Sequence, residues 1–150
     1  MKVVIQRVNE ASVRIKNKDT KSIKNGFVLL LGYESADTIE DIDWTVKKIL
    51  NLRVFADKDK LMNLNLLDID GELLCVSQFT LHAKTKKGNR PSFIHAAKPA
   101  FAEQLYNFTI SEFEKALPNK VKTGIFGADM KVLLINDGPV TIIVDSKNKI

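Results

Sequence analysis

The chain has 150 residues, the size of one ordinary domain, with 45% hydrophobic residues and a net charge of +5. No apolar run approaches the ~20 residues that cross a bilayer; the longest, Phe27 to Leu31, is strand-sized, and Met1 to Arg7 turns polar too early for a secretory signal. Cys75 is the only cysteine, which excludes an internal disulfide and suits a reducing, cytoplasmic compartment with no membrane partner.

Val3 to Val8, then Ala11, Val13 and Ile15 alternating with Ser12, Arg14 and Lys16, predict one long or bent strand with a wet face. Asn17 to Lys21 is a polar turn, and Ile23 with Phe27 to Tyr33 gives a hairpin-like return after Asn25-Gly26. Ile39, Ile42, Val46, Ile49 and Leu50 share one helical face, with Asp37 as the expected N-cap and Glu40 completing a capping box. Leu52 to Phe55 predicts a short strand. Asp57 to Asp70 is turn-rich and anchored by Met62, Leu64 and Leu66, and Leu73 to Leu81 predicts another strand. A second helix is expected from Pro99, burying Phe101, Leu105, Phe108, Phe113, Ala116 and Leu117 and ending at Pro118. Three strands follow, Val121 to Ile125, Met130 to Ile135 and Val140 to Val144, before a Lys-rich tail, 146–150, expected to fray. Helices do not alternate strictly with strands, which disfavours a doubly wound parallel sheet. The expected class is α+β: a curved, mostly antiparallel sheet or barrel with two packed α-helices, one domain over 1–150.

Two segments carry chemistry. Gly138-Pro139 sits between the last two apolar runs, where proline cannot donate to a ladder and glycine permits close backbone approach. Taken alone, the pair reads as a tight turn between strands, or as main-chain carbonyls presented to something small. The second segment is Ser77-Gln78-Phe79-Thr80, followed by a window from Glu72 to Glu103 with no acidic residue between its ends. That window holds Lys84, Lys86, Lys87, Arg90 and Lys98 with both histidines, His82 and His95. It reads as a phosphate-contacting surface or as a solvated basic loop. There is no phosphate-binding glycine loop and no paired His or Cys spacing for zinc. Neither histidine has a carboxylate orienter nearby in sequence, so an enzyme here would depend on backbone amides, water or a substrate hydroxyl. Such chemistry suits an activated ester better than an amide.

Six motifs run in order along nearly the whole chain. They are Gln6-Arg7-Val8 with Ala11-Ser12-Val13, Met62-Asn63-Leu64-Asn65, Ser77-Gln78-Phe79-Thr80-Leu81, Lys87-Gly88 with Arg90-Pro91-Ser92-Phe93, Ala128-Asp129-Met130, and Asn136-Asp137-Gly138-Pro139-Val140-Thr141. On these the chain closely resembles the D-aminoacyl-tRNA deacylases, also called D-tyrosyl-tRNA deacylases. It departs from them in 17–21, around Lys84 and in the C-terminal tail. The resemblance implies a homodimer that hydrolyses the ester between a D-amino acid and the terminal ribose of tRNA, with no metal or organic cofactor. It implies that Gly138 and Pro139 form a cis peptide that reaches into the partner's pocket as a chirality filter. Ser77, Gln78, Phe79 and Thr80 would line the other side as the catalytic segment, with Met130, Asn136 and Val140 in the same pocket.

These assignments have physical reasons. Mirror-image amino acids carry the same groups, so they are separated by a rigid obstacle where the wrong substituent would point. Glycine, being achiral, should partly escape such a filter. For the chemical step, Thr80 either attacks as a nucleophile, with no base evident beside it, or the amides of Phe79 and Thr80 hold the oxyanion while water or the ribose hydroxyl attacks. The second requires no hidden base. Lys84, Lys86, Lys87 and Arg90 would hold acceptor-end phosphates, and Phe79 or Phe93 would stack on the terminal adenine or join the core. The competing reading is a non-catalytic nucleic-acid-binding module on the same scaffold.

Overall fold

The alternation from Val3 to Ile15 becomes one strand, β1 (Lys2–Ile15), in a computed structural model that describes residues 1–149. β1 is long enough to serve three partners, all antiparallel. Its first half pairs with β3 (Gly26–Gly32) and its second half with β2 (Lys21–Ile23). Along its other side runs β8 (Met130–Asp145), from Lys2↔Asp145 to Ile15↔Met130. Between β3 and β8 lie α1 (Ile39–Asn51), a two-stranded ribbon of β4 (Phe55–Ala56) and β5 (Met62–Leu64), β6 (Glu72–Ser77), a 3-10 helix (Phe79–His82), α2 (Pro99–Ala116) and β7 (Val121–Thr123).

The sheet is mostly antiparallel, as expected, but two parallel pairings make it mixed. β3 pairs with β6, and β6 with β7, in parallel, giving the order β2-β1-β3-β6-β7 with β8 on β1. The reason lies in the connections. α1 lies between β3 and β6, and α2 between β6 and β7, and a parallel pair needs such a crossover. The class stays α+β, with two helices on a curved, nearly closed sheet.

Both faces of the central strands are buried. Phe27, Leu29, Leu31, Leu73 and Cys75 meet Ile42 and Ile49 of α1 and Leu105 and Phe113 of α2 in one core. Val28, Leu74 and Val76 point the opposite way, where the curling end of β1 brings Ala11 and Val13 over them with Ile23. Phe27 and Phe113 are fully buried, so truncating either to alanine costs about 3–5 kcal/mol.

Several boundaries differ from the sequence expectation. The N-cap of α1 is Thr38, whose amide donates to Asp41 Oδ2 at 2.9 Å. Asp37 instead lies buried, ion-paired with the Met1 α-ammonium and accepting the Glu34 amide at 2.8 Å. In α2 the buried side is Ala102, Leu105, Tyr106, Thr109 and Phe113, while Phe101 is 38% exposed and Ala116 also faces solvent. The strand expected over Leu73 to Leu81 ends at Ser77, because the chain tightens into the 3-10 helix. The two strands expected around Gly138-Pro139 are one strand with an interruption. The tail is held at its start: Ser146 is buried and accepts the Met1 ammonium at 2.6 Å, and Lys147 pairs with Asp41. Ile150, the last residue of that stretch, lies outside the described residues.

Candidate active site

At the end of β6 the ladder makes its last bond, from Gln78 N to Leu31 O at 2.7 Å. The 3-10 helix then crosses the end of β3. Gly32 makes room for it: a Cβ there would lie 2.9 Å from Gln78 O and 3.0 Å from Leu81 Cβ. The first N–H groups of a helix have no intrahelical acceptor. Among the described residues, those of Phe79 and Thr80 have no hydrogen-bond partner.

A cavity of about 660 Å³ opens beside this segment, walled by Ser77, Gln78 and Phe79 on one side and by Phe126 to Met130 on another. Leu31, Val76 and Ala102 also line it. Phe79 and Phe93 meet edge-on, ring centroids 5.0 Å apart, and both border the cavity. Phe79 is 56% exposed, so its ring is available rather than consumed by the core. Thr80 is exposed one residue further on, and its hydroxyl accepts Gln78 Nε2 at 2.6 Å. With the amide turned either way, this partner is no base.

The phenol, thiol and carboxylate groups around the cavity are poorly suited to proton transfer, and Lys98, which also lines it, is a donor with no acceptor. Burial pushes the Tyr33 hydroxyl far above its ordinary range, and that hydroxyl donates to Thr109 Oγ1 at 2.9 Å. Burial also pushes the Cys75 thiol up. Asp129, the one carboxylate of the wall, is exposed and paired with Lys131 at 2.9 Å. Among the described residues, no group of three or more His, Cys, Asp or Glu side chains is placed to hold a metal ion.

Gly138-Pro139 is a cis peptide at the exposed tip of a bulge in β8. Val8 pairs with Asn136 and Gln6 with Thr141, so residues 137–140 stand opposite Arg7 alone. Two side chains shape the bulge. Arg7 Nε donates to Asp137 O at 3.2 Å and pairs with Asp137 Oδ2 at 3.1 Å, while its Nη1 donates to Val54 O. Asn136 Oδ1 accepts Val140 N at 3.1 Å and its Nδ2 donates to Thr141 Oγ1 at 3.0 Å. Gly138 has φ +118°, a region that favours glycine.

The expected site residues therefore fall into three groups. Ser77, Gln78, Phe79 and Met130 border the cavity, with Thr80 adjoining them. Gly138, Pro139, Asn136 and Val140 form the separate bulge and do not line the cavity of their own chain. Lys84, Lys86, Lys87 and Arg90 stand exposed on the loop after the 3-10 helix, whose base is closed by paired backbone bonds between Lys84 and Ser92 at 2.8 and 3.1 Å. Sequence reasoning gave Arg7 no role. Its signal was a guanidinium within the Gln6-Arg7-Val8 motif, and the structure makes it the clamp on the bulge.

A family model described as D-Tyr-tRNA(Tyr) deacylase matches residues 4–145. Proteins named D-aminoacyl-tRNA deacylase from Flavobacterium psychrophilum and Christiangramia forsetii are 60% and 57% identical over 149 residues, 99% of both chains in each case. Among solved structures, the c-Myc DNA Unwinding Element Binding Protein superposes with a TM-score of 0.91 at 43% identity, covering 97% of this chain and 98% of that one. A probable eukaryotic D-amino acid tRNA deacylase shares the fold, with a TM-score of 0.82 at 17% identity and coverages of 95% and 97%.

Proposed function

The chain belongs to the D-Tyr-tRNA(Tyr) deacylase family, and from that premise we propose that it hydrolyses the ester joining a D-amino acid to the terminal ribose of tRNA. The observation that carries the reading is the cavity beside two unpartnered main-chain N–H groups, those of Phe79 and Thr80. An ester carbonyl seated there develops an oxyanion that both amides receive, and fixed donors of this kind are worth most where charge appears in the transition state. Water or the neighbouring ribose hydroxyl attacks. Gln78 orients the Thr80 hydroxyl, which takes no part as nucleophile because nothing beside it removes its proton.

Chirality is enforced by exclusion. The Gly138-Pro139 tip presents main-chain carbonyls, and the L substituent would point into them while the D substituent points away. The tip is exposed and outside the cavity of its own chain, so a second copy supplies it. β8 supports that assembly. Among the described residues it pairs only with β1, and it exposes Leu133, Ile135 and Ile143 on both sides of the bulge. Met130 lies in the cavity wall where the partner's tip, with Asn136 and Val140 behind it, completes the enclosure. Glycine attached to tRNA lacks the excluded substituent and is hydrolysed too. Lys84, Lys86, Lys87 and Arg90 hold acceptor-end phosphates, and the Phe79–Phe93 pair offers the adenine a stacking surface. Among the described residues no helix is long and apolar enough to cross a membrane, and a charged tRNA substrate is consistent with work in the cytoplasm.

The test is direct. With chelator present, the purified protein releases D-tyrosine from D-tyrosyl-tRNA and leaves L-tyrosyl-tRNA intact. Comparable rates on the two would refute the chirality argument. The exposed basic loop and the similarity to a protein named for DNA binding favour one other reading, a nucleic-acid-binding module without catalysis. Tight binding of both tRNAs with turnover of neither would establish it.

A further inference from the structure

The backbone at position 124 gives no reason for a glycine. Its φ lies outside the left-handed region, unlike those of Gly127 and Gly138, so a residue with a side chain could adopt it. The reason lies in what faces it. A Cβ there would stand 2.2 Å from Met130 Sδ and 3.5 Å from Met130 Cε, and its three nearest heavy atoms all belong to that one side chain. Met130 borders the cavity beside the 3-10 helix, and Gly124 is not among the residues lining it. The thioether is thus seated between the buried main chain at 124 and the cavity.

Only one of the two neighbours can give way. Gly124 N donates to Cys75 O at 3.1 Å, and the Tyr106 hydroxyl donates to the same carbonyl at 3.0 Å, so the main chain at 124 is tied to a buried residue of β6. The loop beyond it is braced by Phe126 against Tyr106, ring centroids 5.9 Å apart, and by the Ala128 amide on Ile125 O at 3.1 Å. Met130 is half-buried, and its unbranched side chain turns about three bonds. We propose that Gly124 is a positioning residue: by lacking a side chain it holds the Met130 thioether back from the cavity and fixes the room left for the ester. The inference rests on the deacylase reading, and Gly124 itself touches no reacting atom. With a methyl group at 124 the sulfur must move from 2.2 Å to the 3.4 Å where ordinary contact begins, more than an ångström, and the open side is the cavity.

Two measurements on the full chain test it. Met130 is one of three methionines, with Met1 and Met62, so a spectrum of the protein carrying methyl-13C methionine reads its displacement without any substrate. Gly124→Ala shifts one methyl signal, the one that Met130→Ala removes, and leaves the other two in place. The second measurement is kcat/KM for D-tyrosyl-tRNA, with the melting temperature as control. Gly124→Ala lowers kcat/KM by about ten- to hundredfold, the scale of an ångström's misplacement in an active site, and does not lower the melting temperature, because the backbone accepts alanine. Beside Met130→Ala the same substitution changes kcat/KM by no more than about twofold, whatever Met130→Ala costs alone. A purely structural role would lower the melting temperature and persist beside Met130→Ala, and that result overturns the inference. An unmoved methyl signal overturns it too, as does a moved signal with wild-type kcat/KM; both leave the deacylase reading intact. Failure of the wild type on the D ester is a different result, which overturns the deacylase reading and the inference with it.

Discussion

Replacing Gly138 by alanine adds one methyl group at the point where the proposed chirality filter has least room. The φ of +118° is a conformation that residues with a side chain rarely adopt, and holding one there costs about 1–3 kcal/mol. The new Cβ would also lie 2.9 Å from Arg7 Nη2 and 2.9 Å from Val140 Cγ2. Either the tip distorts or Arg7 loosens its hold on Asp137. The bulge belongs to neither core, so the chain still folds, and melting drops by a few degrees at about 2–4 °C per kcal/mol. The effect on turnover is larger in kind, because the displaced tip occupies space the D substrate needs. With each 1.36 kcal/mol worth tenfold, kcat/KM for D-tyrosyl-tRNA falls by about ten- to hundredfold. The assay follows release of labelled D- and L-tyrosine from matched tRNA at subsaturating substrate. Wild-type turnover of the D ester, with an unchanged D-to-L ratio, would refute the reasoning.

Four further outcomes are expected. Thr80→Ala retains D-tyrosyl-tRNA hydrolysis within about tenfold, the weight of one hydrogen bond; complete loss with tRNA binding preserved would make the hydroxyl the nucleophile. Apparent tRNA affinity falls with salt at a log–log slope of about −3 for four phosphate contacts, and Lys87→Ala makes that slope shallower by about 0.7, as filter binding will show. Mixing Gly138→Trp with Gln78→Ala subunits gives more activity than the average of the two homodimers, since one site in the mixed dimer pairs an intact tip with an intact pocket; no gain would place the tip in its own chain's site. Finally, burial would raise the Asp41 carboxyl, but the Lys147 ammonium and the Thr38 amide outweigh it and hold that carboxyl well below the usual range. Its contribution is therefore fully present above the unfolded value of 3.8 and is lost as pH falls below it. In urea melts, Asp41→Asn is less stable than wild type at pH 7, and the gap narrows toward pH 3.

Much of this architecture was legible in the residues, and the misreadings have identifiable causes. The runs Phe27 to Leu31 and Leu73 to Val76 have no polar alternation because both of their faces are buried, which is the pattern of parallel central strands. Read only as strand signals, they did not single out the two parallel pairings within a mostly antiparallel sheet. At the start of α1, Asp37 and Thr38 are both able caps. What takes Asp37 away is the Met1 ammonium, a partner 36 positions distant that no local pattern reveals. The 3-10 turn at Phe79 is hidden for the same reason, since Phe-Thr-Leu has ordinary strand character and only the crossing over Gly32 decides otherwise. The motif residues of the cavity were legible from the resemblance. That Asn136 and Val140 serve the bulge and not the cavity of their own chain follows from the register break opposite Arg7, which is a property of pairing and not of composition.

The proposed mechanism also accounts for how so small a chain acts on a reactive ester without a conventional base. The phenol, thiol and carboxylate near the cavity are each disabled by their surroundings, and Lys98 on its wall is a donor with no acceptor. Tyr33 is held neutral by burial, Cys75 likewise, and Asp129 is tied to Lys131 in solvent. What remains unspent is main chain: two N–H groups at the start of the 3-10 helix and the carbonyls of the bulge. Both are fixed by side chains that act on the backbone, Gly32 by its absence at one end and Arg7 with Asn136 at the other. Main-chain groups read an ester and its handedness without reading the amino acid's side chain. On the proposed mechanism one site built this way serves many D-residues, and substitutions that move the backbone are expected to alter its selectivity more than substitutions that remove a functional group.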